Sequence, residues 1–90
     1  MKVIKRDGHT VTYDRSKIIT AIKKANAEVE PCEKVTDEKI EEIVQGIESK
    51  NRPRMLVEDI QDMIEQKLMA EKKFVLAKTY IIYRLPIEYH

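Results

Sequence analysis

A group of charged residues near the N-terminus has the clearest chemical use in this sequence. Lys5 and Arg6 stand directly before Asp7 and Gly8, a dipeptide that readily supplies the positive φ values of tight hairpin turns. Lys17 follows at the start of the next segment. Lysine offers a mobile point charge and arginine a planar fork of donors, so these side chains together suit a polyanion. A phosphate-bearing nucleotide is the first candidate.

Short runs on either side of this dipeptide predict a β-hairpin over residues 2–13. The runs at residues 3–4 and 11–13 contain β-branched or aromatic residues, which are typical of strands. Consecutive side chains of a regular strand point to opposite faces. If the strand is regular to that point, we therefore expect one of Lys5 and Arg6 to line a groove between hairpin and helix and the other to reach round its rim.

Hydrophobic spacing predicts four helices after the hairpin, at about residues 15–26, 37–49, 56–69 and 72–85. Asp14 and Thr36 are expected to cap the first two, because their side chains can accept hydrogen bonds from free amides of the first turn. Lys17 then lies in a first turn whose amides add positive potential. The inward faces of the first three helices are expected to be Ile18, Ala21, Ile22 and Ala25; Ile40, Ile43, Val44 and Ile47; and Val57, Ile60, Ile64 and Leu68.

The fourth predicted helix differs from the others because apolar residues at 74–77 and 80–83 leave it little polar surface. We expect it to be central, covered on several sides, and ended by Pro86. Residues 50–54 predict a basic, proline-broken link before the third helix. The fold class expected is α+β, mainly α, with an N-terminal β-hairpin packed with four helices in a single domain of residues 1–90.

The net charge of +1 conceals an asymmetry along the chain. Residues 1–24 hold seven basic and two acidic side chains, a net of +5, whereas residues 28–48 hold eight acidic and two basic ones, a net of −6. An anion site is therefore expected in the N-terminal third. The acidic second helix is either a solvated face or a docking surface. Direct nucleic acid binding is not expected, since the basic residues have no interleaved aromatics.

Several other classes of function are disfavoured by the sequence. A single cysteine, Cys32, excludes an intramolecular disulfide and a cysteine-rich zinc module, and we expect it to be a loop or surface thiol. No apolar stretch reaches the roughly 18 residues of a membrane span, and the N-terminus lacks a signal-peptide core. A cytoplasmic location is therefore expected. With no cysteine pair and no obvious nucleophile beside a base, catalysis by this chain is not expected.

Four motifs occur along the chain, at residues 3–8 (VIKRDG), 13–18 (YDRSKI), 57–60 (VEDI) and 77–84 (AKTYIIYR). Together, at these separations, they resemble the ATP-cone, the small regulatory nucleotide-binding domain at the N-terminus of many ribonucleotide reductases and in the repressor of their genes. The resemblance spans nearly the whole chain and is nearest in character to the anaerobic reductases.

The resemblance implies a domain that binds ATP or dATP, with Mg²⁺ on the phosphates, and passes the ATP/dATP ratio to a partner. It implies phosphate contacts for Lys5, Arg6 and Lys17, and places Asp14 close to the ligand. Val3 matches a residue beside the nucleotide. The nucleotide-binding residues implied are Val3, Lys5, Arg6, Asp14, Lys17 and Val57.

Other residues have two interpretations at this point. Val57 matches a base-side contact that is threonine in some members, and valine lacks that hydroxyl. His9 is either exposed or a phosphate contact. Tyr80 and Tyr83 are either core residues whose hydroxyls reach the rim or platforms for the base. Arg84 is either a cation at a helix C-terminus or a contact to ligand or partner.

The implied function is a regulatory nucleotide-binding module, either free-standing or cut from a ribonucleotide reductase. Its expected partner is a reductase catalytic domain, or a second copy through its helices. One alternative is a fragment of a nucleotide-dependent transcription regulator, which needs a zinc ribbon ahead of the cone, whereas Met1 starts directly at the hairpin. Another is a helical protein-interaction module without a ligand. Family members commonly continue past residue 84 with further basic residues, and residues 85–90 do not supply such a contact.

Overall fold

The computed structural model describes the backbone of residues 1–87 and the side chains of residues 1–82. Within that part of the chain, three short strands accompany a mainly helical fold, which confirms the expected α+β class. The elements are β1 (Lys2–Ile4), β2 (Thr10–Thr12), α1 (Arg15–Ala27), a 3₁₀ helix (Pro31–Glu33), α2 (Asp37–Glu48), β3 (Arg54–Leu56), α3 (Val57–Ala70) and α4 (Phe74–Ile87).

A third strand extends the predicted hairpin to a sheet of order β2-β1-β3. β1 pairs with β2 antiparallel and with β3 parallel, so that Val3 lies opposite both Val11 and Met55. The prediction that residues 50–54 are only a link is therefore wrong, because Arg54 opens a strand. Pairing explains the error: this segment lacks the β-branched composition of a strand, and its partner β1 is remote in sequence.

The core lies mainly among the helices, and the sheet joins it through Val3 and Met55. All the inward-facing residues predicted for α1, α2 and α3 are buried, which confirms those three helix faces. α1 packs chiefly against α4, and α3 packs against both α4 and α2. Strands and α4 complete the core with Val3, Met55, Leu76, Ala77 and Tyr80.

Over its described side chains, residues 74–82, α4 buries one of its sides. Leu76, Ala77 and Tyr80 are inside, but the exposed fractions of Phe74, Val75 and Ile82 are 55%, 52% and 71%. The prediction of a central helix covered on several sides is therefore wrong. An apolar composition shows that a helix has much surface to bury, but it does not show which neighbours are available. Among the described residues, α1, α3 and the 3₁₀ helix pack against α4 and leave Phe74, Val75 and Ile82 exposed.

The ends of α4 also differ from those predicted. Lys72 takes a left-handed φ of 60° and its amide donates to the Met69 carbonyl at 2.8 Å, which closes the end of α3 and delays α4 to Phe74. The helix then continues through Pro86 to Ile87, so Pro86 does not end it. A proline this close to a helix end removes only one late hydrogen bond, and its fixed φ is compatible with the helix.

Local hydrogen bonds confirm both predicted caps. The Asp14 carboxylate accepts from the Ser16 amide at 3.0 Å, and the Thr36 hydroxyl accepts from the Lys39 amide at 3.1 Å. Cys32 is exposed, as expected. Among the helices that the structure describes, none combines the length and apolar character that a membrane crossing requires.

Candidate functional site

The turn between β1 and β2 sets the position of the first candidate cations. The Lys5 carbonyl accepts from the Gly8 amide at 2.9 Å and the Lys5 amide donates to the His9 carbonyl at 2.7 Å, which defines a loop of residues 6–8. Gly8 has a φ of 94°, a conformation that side chains rarely adopt. β1 ends at Ile4, so the regular strand on which the predicted divergence of Lys5 and Arg6 depended does not reach them.

Asp7 stabilises this turn from its outer side. Its carboxylate accepts from the His9 amide at 3.0 Å and lies 2.9 Å from the His9 Nδ1 atom. The hydrogen bond from the His9 amide, followed by that from the His9 ring, lowers the pKa of Asp7. His9 is exposed and its ring contacts Asp7. Its contact with a phosphate stays a prediction.

Arg6 connects this turn to α3. Its Nη2 atom donates to the Oε1 atom of Gln61 at 2.6 Å, and its Nη1 atom lies 3.3 Å from a carboxylate oxygen of Glu58. Glu58 and Gln61 are three residues apart and therefore lie on one face of α3. The structure thus fixes the guanidinium at the N-terminal end of α3, with oxygen atoms on two of its nitrogens.

Glu58 and Gln61 were not among the predicted site residues. A signal for Gln61 was present in the sequence, since it occupies the position four after Val57 and three before Ile64 in the apolar stripe of α3. It is 1% exposed, the buried polar side chain of the described core. A buried polar group requires a hydrogen-bonding partner, so its position could have suggested a charged residue reaching in from another element.

Parallel pairing of β1 with β3 brings Lys5 and the start of α3 to the same end of the strands. Ile4 lies opposite Leu56 in the β1–β3 ladder, and the next residues of the two strands, Lys5 and Val57, therefore leave the sheet at the same end. Leu56 gives α3 no side-chain cap, so the first-turn amides of α3 can supply positive potential at this end of the sheet.

The two predicted valine contacts are core residues. Val3 is fully buried in the central strand, and Val57 is nearly so at the start of α3. In this conformation a nucleotide reaches either side chain only if neighbouring side chains move. Their ligand contacts stay predictions.

Asp14 and Lys17 lie at the start of α1, which is at the opposite end of the strands. β2 runs antiparallel to β1, and the Tyr13 amide donates to the Met1 carbonyl, so α1 starts beside the beginning of β1. Hydrogen bonds from Ser16 lower the pKa of Asp14. The three residues of β1 separate this end of the sheet from the turn that carries Arg6 by about 10 Å. The candidate residues therefore leave the short sheet from its two opposite ends.

Arg15, the other basic residue of this region, belongs to a structural contact. It donates to Glu48 at 2.9 Å through Nε and to Glu41 at 3.1 Å through Nη1, while the Tyr13 hydroxyl donates to Glu48 at 2.8 Å. Glu41, then Glu48, raise the pKa of Arg15, and Arg15 lowers the pKa of Glu41. Part of the acidic charge of α2 is therefore neutralised within the fold.

The remaining predicted residues are either buried in the core or beyond the described side chains. Tyr80 is fully buried, which favours the core interpretation over a platform for a base. The side chains of Tyr83 and Arg84, and the predicted absence of a basic contact from residues 85–90, lie outside the side chains described. Among those that are described, no group of three histidine, cysteine or acidic residues is arranged to hold a metal ion.

Comparison with known families identifies one match along nearly the entire chain. The sequence profile of the ATP cone domain matches residues 1–86. This agrees with the resemblance seen in the four sequence motifs.

Curated relatives fall into two classes of protein. The chain is 38% identical to the vitamin B12-dependent ribonucleoside-diphosphate reductase of Thermoplasma acidophilum, over 92% of this chain and 11% of the relative. It is 35% identical to the anaerobic ribonucleoside-triphosphate reductase of Haemophilus influenzae, over 91% and 12%. It is also 35% identical to the transcriptional repressor NrdR of Petrotoga mobilis, over 90% and 51%. The chain thus spans about a tenth of these reductases and half of the repressor, and the identities do not single out the anaerobic type.

Proposed function

Because this chain belongs to the ATP-cone family, we propose that it is a regulatory module that binds ATP or dATP and controls an attached or associated ribonucleotide reductase. Its relatives include two kinds of reductase and a repressor, so the sequence features common to them are not those of one catalytic reaction. The observation that carries the proposal is the position of Arg6. The fold fixes its guanidinium at the uncapped end of α3, where it already binds oxygen atoms.

Phosphate binding is the part of the function that these residues support best. Arg6 offers a planar set of donors, and Lys5 lies at the same end of the sheet, directly after β1. Lys17 approaches from the first turn of α1. We assign the nucleotide contacts to Val3, Lys5, Arg6, Asp14, Lys17 and Val57.

Mg²⁺ has a supporting role in this proposal. It would arrive on the phosphates and offset part of their charge, as it does in many nucleotide sites. Lys5, Arg6 and Lys17 would balance the remaining phosphate charge and orient the triphosphate. This division fits the described side chains, which offer cations at the site and no cluster of three metal ligands.

Discrimination between ATP and dATP depends on one 2′-hydroxyl. A single hydroxyl is a small chemical difference, so the difference in affinity between the two nucleotides is expected to be small. A nucleotide changes an equilibrium only through its different affinities for the two states. We therefore propose that the two effectors favour different assemblies and that the signal is the change of assembly.

The exposed face of α4 supplies a surface for such assembly. Phe74, Val75 and Ile82 are each more than half exposed on one helix. Apolar surface of this kind is often a contact site for another protein. The partner proposed is the catalytic domain of a reductase or a second copy of this chain.

The similarity to the repressor NrdR supports one alternative function. This chain covers half of that relative, so it would be the nucleotide-sensing part of a transcription regulator. The same nucleotide chemistry applies in both cases, and only the partner differs. A pull-down of reductase subunits with this chain would separate them: capture of a subunit would favour the reductase module, and no capture would favour the regulator.

Calorimetric titration with ATP and dATP in the presence of Mg²⁺ tests the proposed function. A Lys5→Ala/Lys17→Ala variant is expected to lose micromolar binding. A Lys23→Ala/Lys24→Ala variant, which removes the same charge from exposed positions of α1, is the matched control and is expected to bind normally. Light scattering on the same samples would show a change of mass. Heat no larger than dilution with either nucleotide would contradict the proposal.

A further inference from the structure

Glu58 holds a negative charge at the position where the proposed site would need to bind phosphate. Its carboxylate oxygen lies 3.3 Å from the Nη1 atom of Arg6. Carboxylate and phosphate bind the same donors of a guanidinium, with similar geometry. A phosphate that approaches Nη1 must therefore displace Glu58 or accept a like charge beside it.

The two contacts of Arg6 differ in how easily they exchange. The contact to Gln61 is short, at 2.6 Å, and its acceptor is buried. The contact to Glu58 is longer, and the side chains of Arg6 and Glu58 are 47% and 39% exposed. Ion pairs with this much exposure to water contribute little stability. Gln61 can therefore hold the guanidinium in place while Nη1 exchanges one anion for another.

Glu58 also has a favourable position when it is not bound to Arg6. It lies in the first turn of α3, where acidic side chains are stabilised by the positive end of the helix dipole. Release from Arg6 therefore does not leave an unfavourable charge. The first turn of α3 would, however, lose its ionic contact with the hairpin turn.

We propose that Glu58 is an internal competitor for the phosphate-binding guanidinium of Arg6. It sets the affinity of the site by occupying Nη1 in the ligand-free protein, and a bound phosphate replaces it. Exchange of the two anions also makes the contact between the hairpin turn and α3 dependent on nucleotide. This inference rests on the proposed function, because it concerns the same site.

Calorimetry with Mg²⁺-ATP and with inorganic tripolyphosphate tests this competition in a Glu58→Gln variant. Loss of an exposed ion pair and of a like charge is expected to tighten both dissociation constants by about 2- to 10-fold, and less so at high salt. The control is Glu38→Gln, which removes an exposed carboxylate from the first turn of α2 and should leave both constants unchanged.

A second measurement uses the unaltered protein and so does not depend on the folding of a variant. In an NMR titration with tripolyphosphate, the side-chain carboxyl signal of Glu58 is expected to shift with the binding curve, while that of Glu38 stays constant. Unchanged or weaker binding by Glu58→Gln, or a Glu58 signal that does not move on binding, would overturn the competition alone. No binding of ATP, dATP or tripolyphosphate by any form would overturn the proposed function, and this inference with it.

Discussion

Arg6 connects stability and ligand binding through a single guanidinium. The glutamine that it reaches is buried in the apolar stripe of α3, and the turn that carries Arg6 is held by two backbone hydrogen bonds and by Asp7. This combination could be inferred only in part from the sequence. Lys5 and Arg6 were visible as cations beside a turn, and Gln61 as a polar residue in an apolar face. Their contact joins elements remote in sequence, so no local pattern predicts it.

Removing Arg6 is expected to destabilise the fold even without ligand. In Arg6→Ala, the buried Oε1 atom of Gln61 loses this donor, and such a loss costs about 1 to 3 kcal/mol. The measurement is the free energy of unfolding in urea. Arg52→Ala removes an equal charge from an exposed residue of the link and is expected to change it by less than about 0.5 kcal/mol. Equal effects of the two substitutions would show that the contact with Gln61 has no special role.

The individual helices show where sequence patterns are sufficient. Spacing of three and four residues gave the buried faces of α1, α2 and α3 correctly, because that pattern is a property of each helix alone. The strand β3 was missed because its hydrogen bonds come from β1. The exposed face of α4 was missed for a related reason, since burial depends on which other elements pack against it.

The end of α3 offers a test of backbone strain at the scale of one element. Lys72 has a φ of 60°, where glycine is more favourable than other residues. Lys72→Gly is therefore expected to stabilise the fold by about 0.5 to 1 kcal/mol in urea denaturation. The same change at Lys23, inside α1, is expected to destabilise it by about 1 kcal/mol. Destabilisation by both would contradict the left-handed conformation at residue 72.

The contact between α1 and α2 predicts a particular dependence of stability on pH. Arg15 holds the pKa of Glu41 below its ordinary value of 4.5, so the unfolded chain binds this proton more readily than the folded chain does. The stabilisation is complete above that ordinary value, and it is lost as the pH falls through the lowered pKa. Urea denaturation between pH 6 and pH 2.5 would measure it. We expect Glu41→Gln to flatten the acid decline and Glu38→Gln to flatten it less; identical profiles would contradict this contribution.

At the scale of the whole molecule, the described part of α4 presents an exposed apolar face. Ile82 is 71% exposed on α4, whereas Leu76 on the opposite side of the same helix is fully buried. Ile82→Ser is therefore expected to change the free energy of unfolding by less than about 0.5 kcal/mol, whereas Leu76→Ala is expected to cost about 2 to 5 kcal/mol. Light scattering would then show whether Ile82→Ser reduces nucleotide-dependent association. A large loss of stability in Ile82→Ser would show that this face is covered.

The candidate residues lie at the two ends of a sheet of three short strands. Lys5 and Arg6 follow the end of β1, and Asp14 and Lys17 follow the end of β2, at the opposite end of the sheet. The sequence was sufficient to propose these residues, because their types and the four motifs are local. It was not sufficient to arrange them, because the position of Arg6 depends on the parallel pairing of β1 with β3. The central claim is that one nucleotide contacts residues from both ends of the sheet.

An NMR titration of backbone amides with Mg²⁺-ATP tests that claim most directly. The account predicts that the largest shifts occur in the turn at residues 5–9, in the first turn of α1 that contains Lys17, and at the start of α3 from Val57 to Gln61. Amides of α2, including that of Glu38, are expected to move little. Shifts concentrated on α2 or on the exposed face of α4, or none at all, would contradict the account.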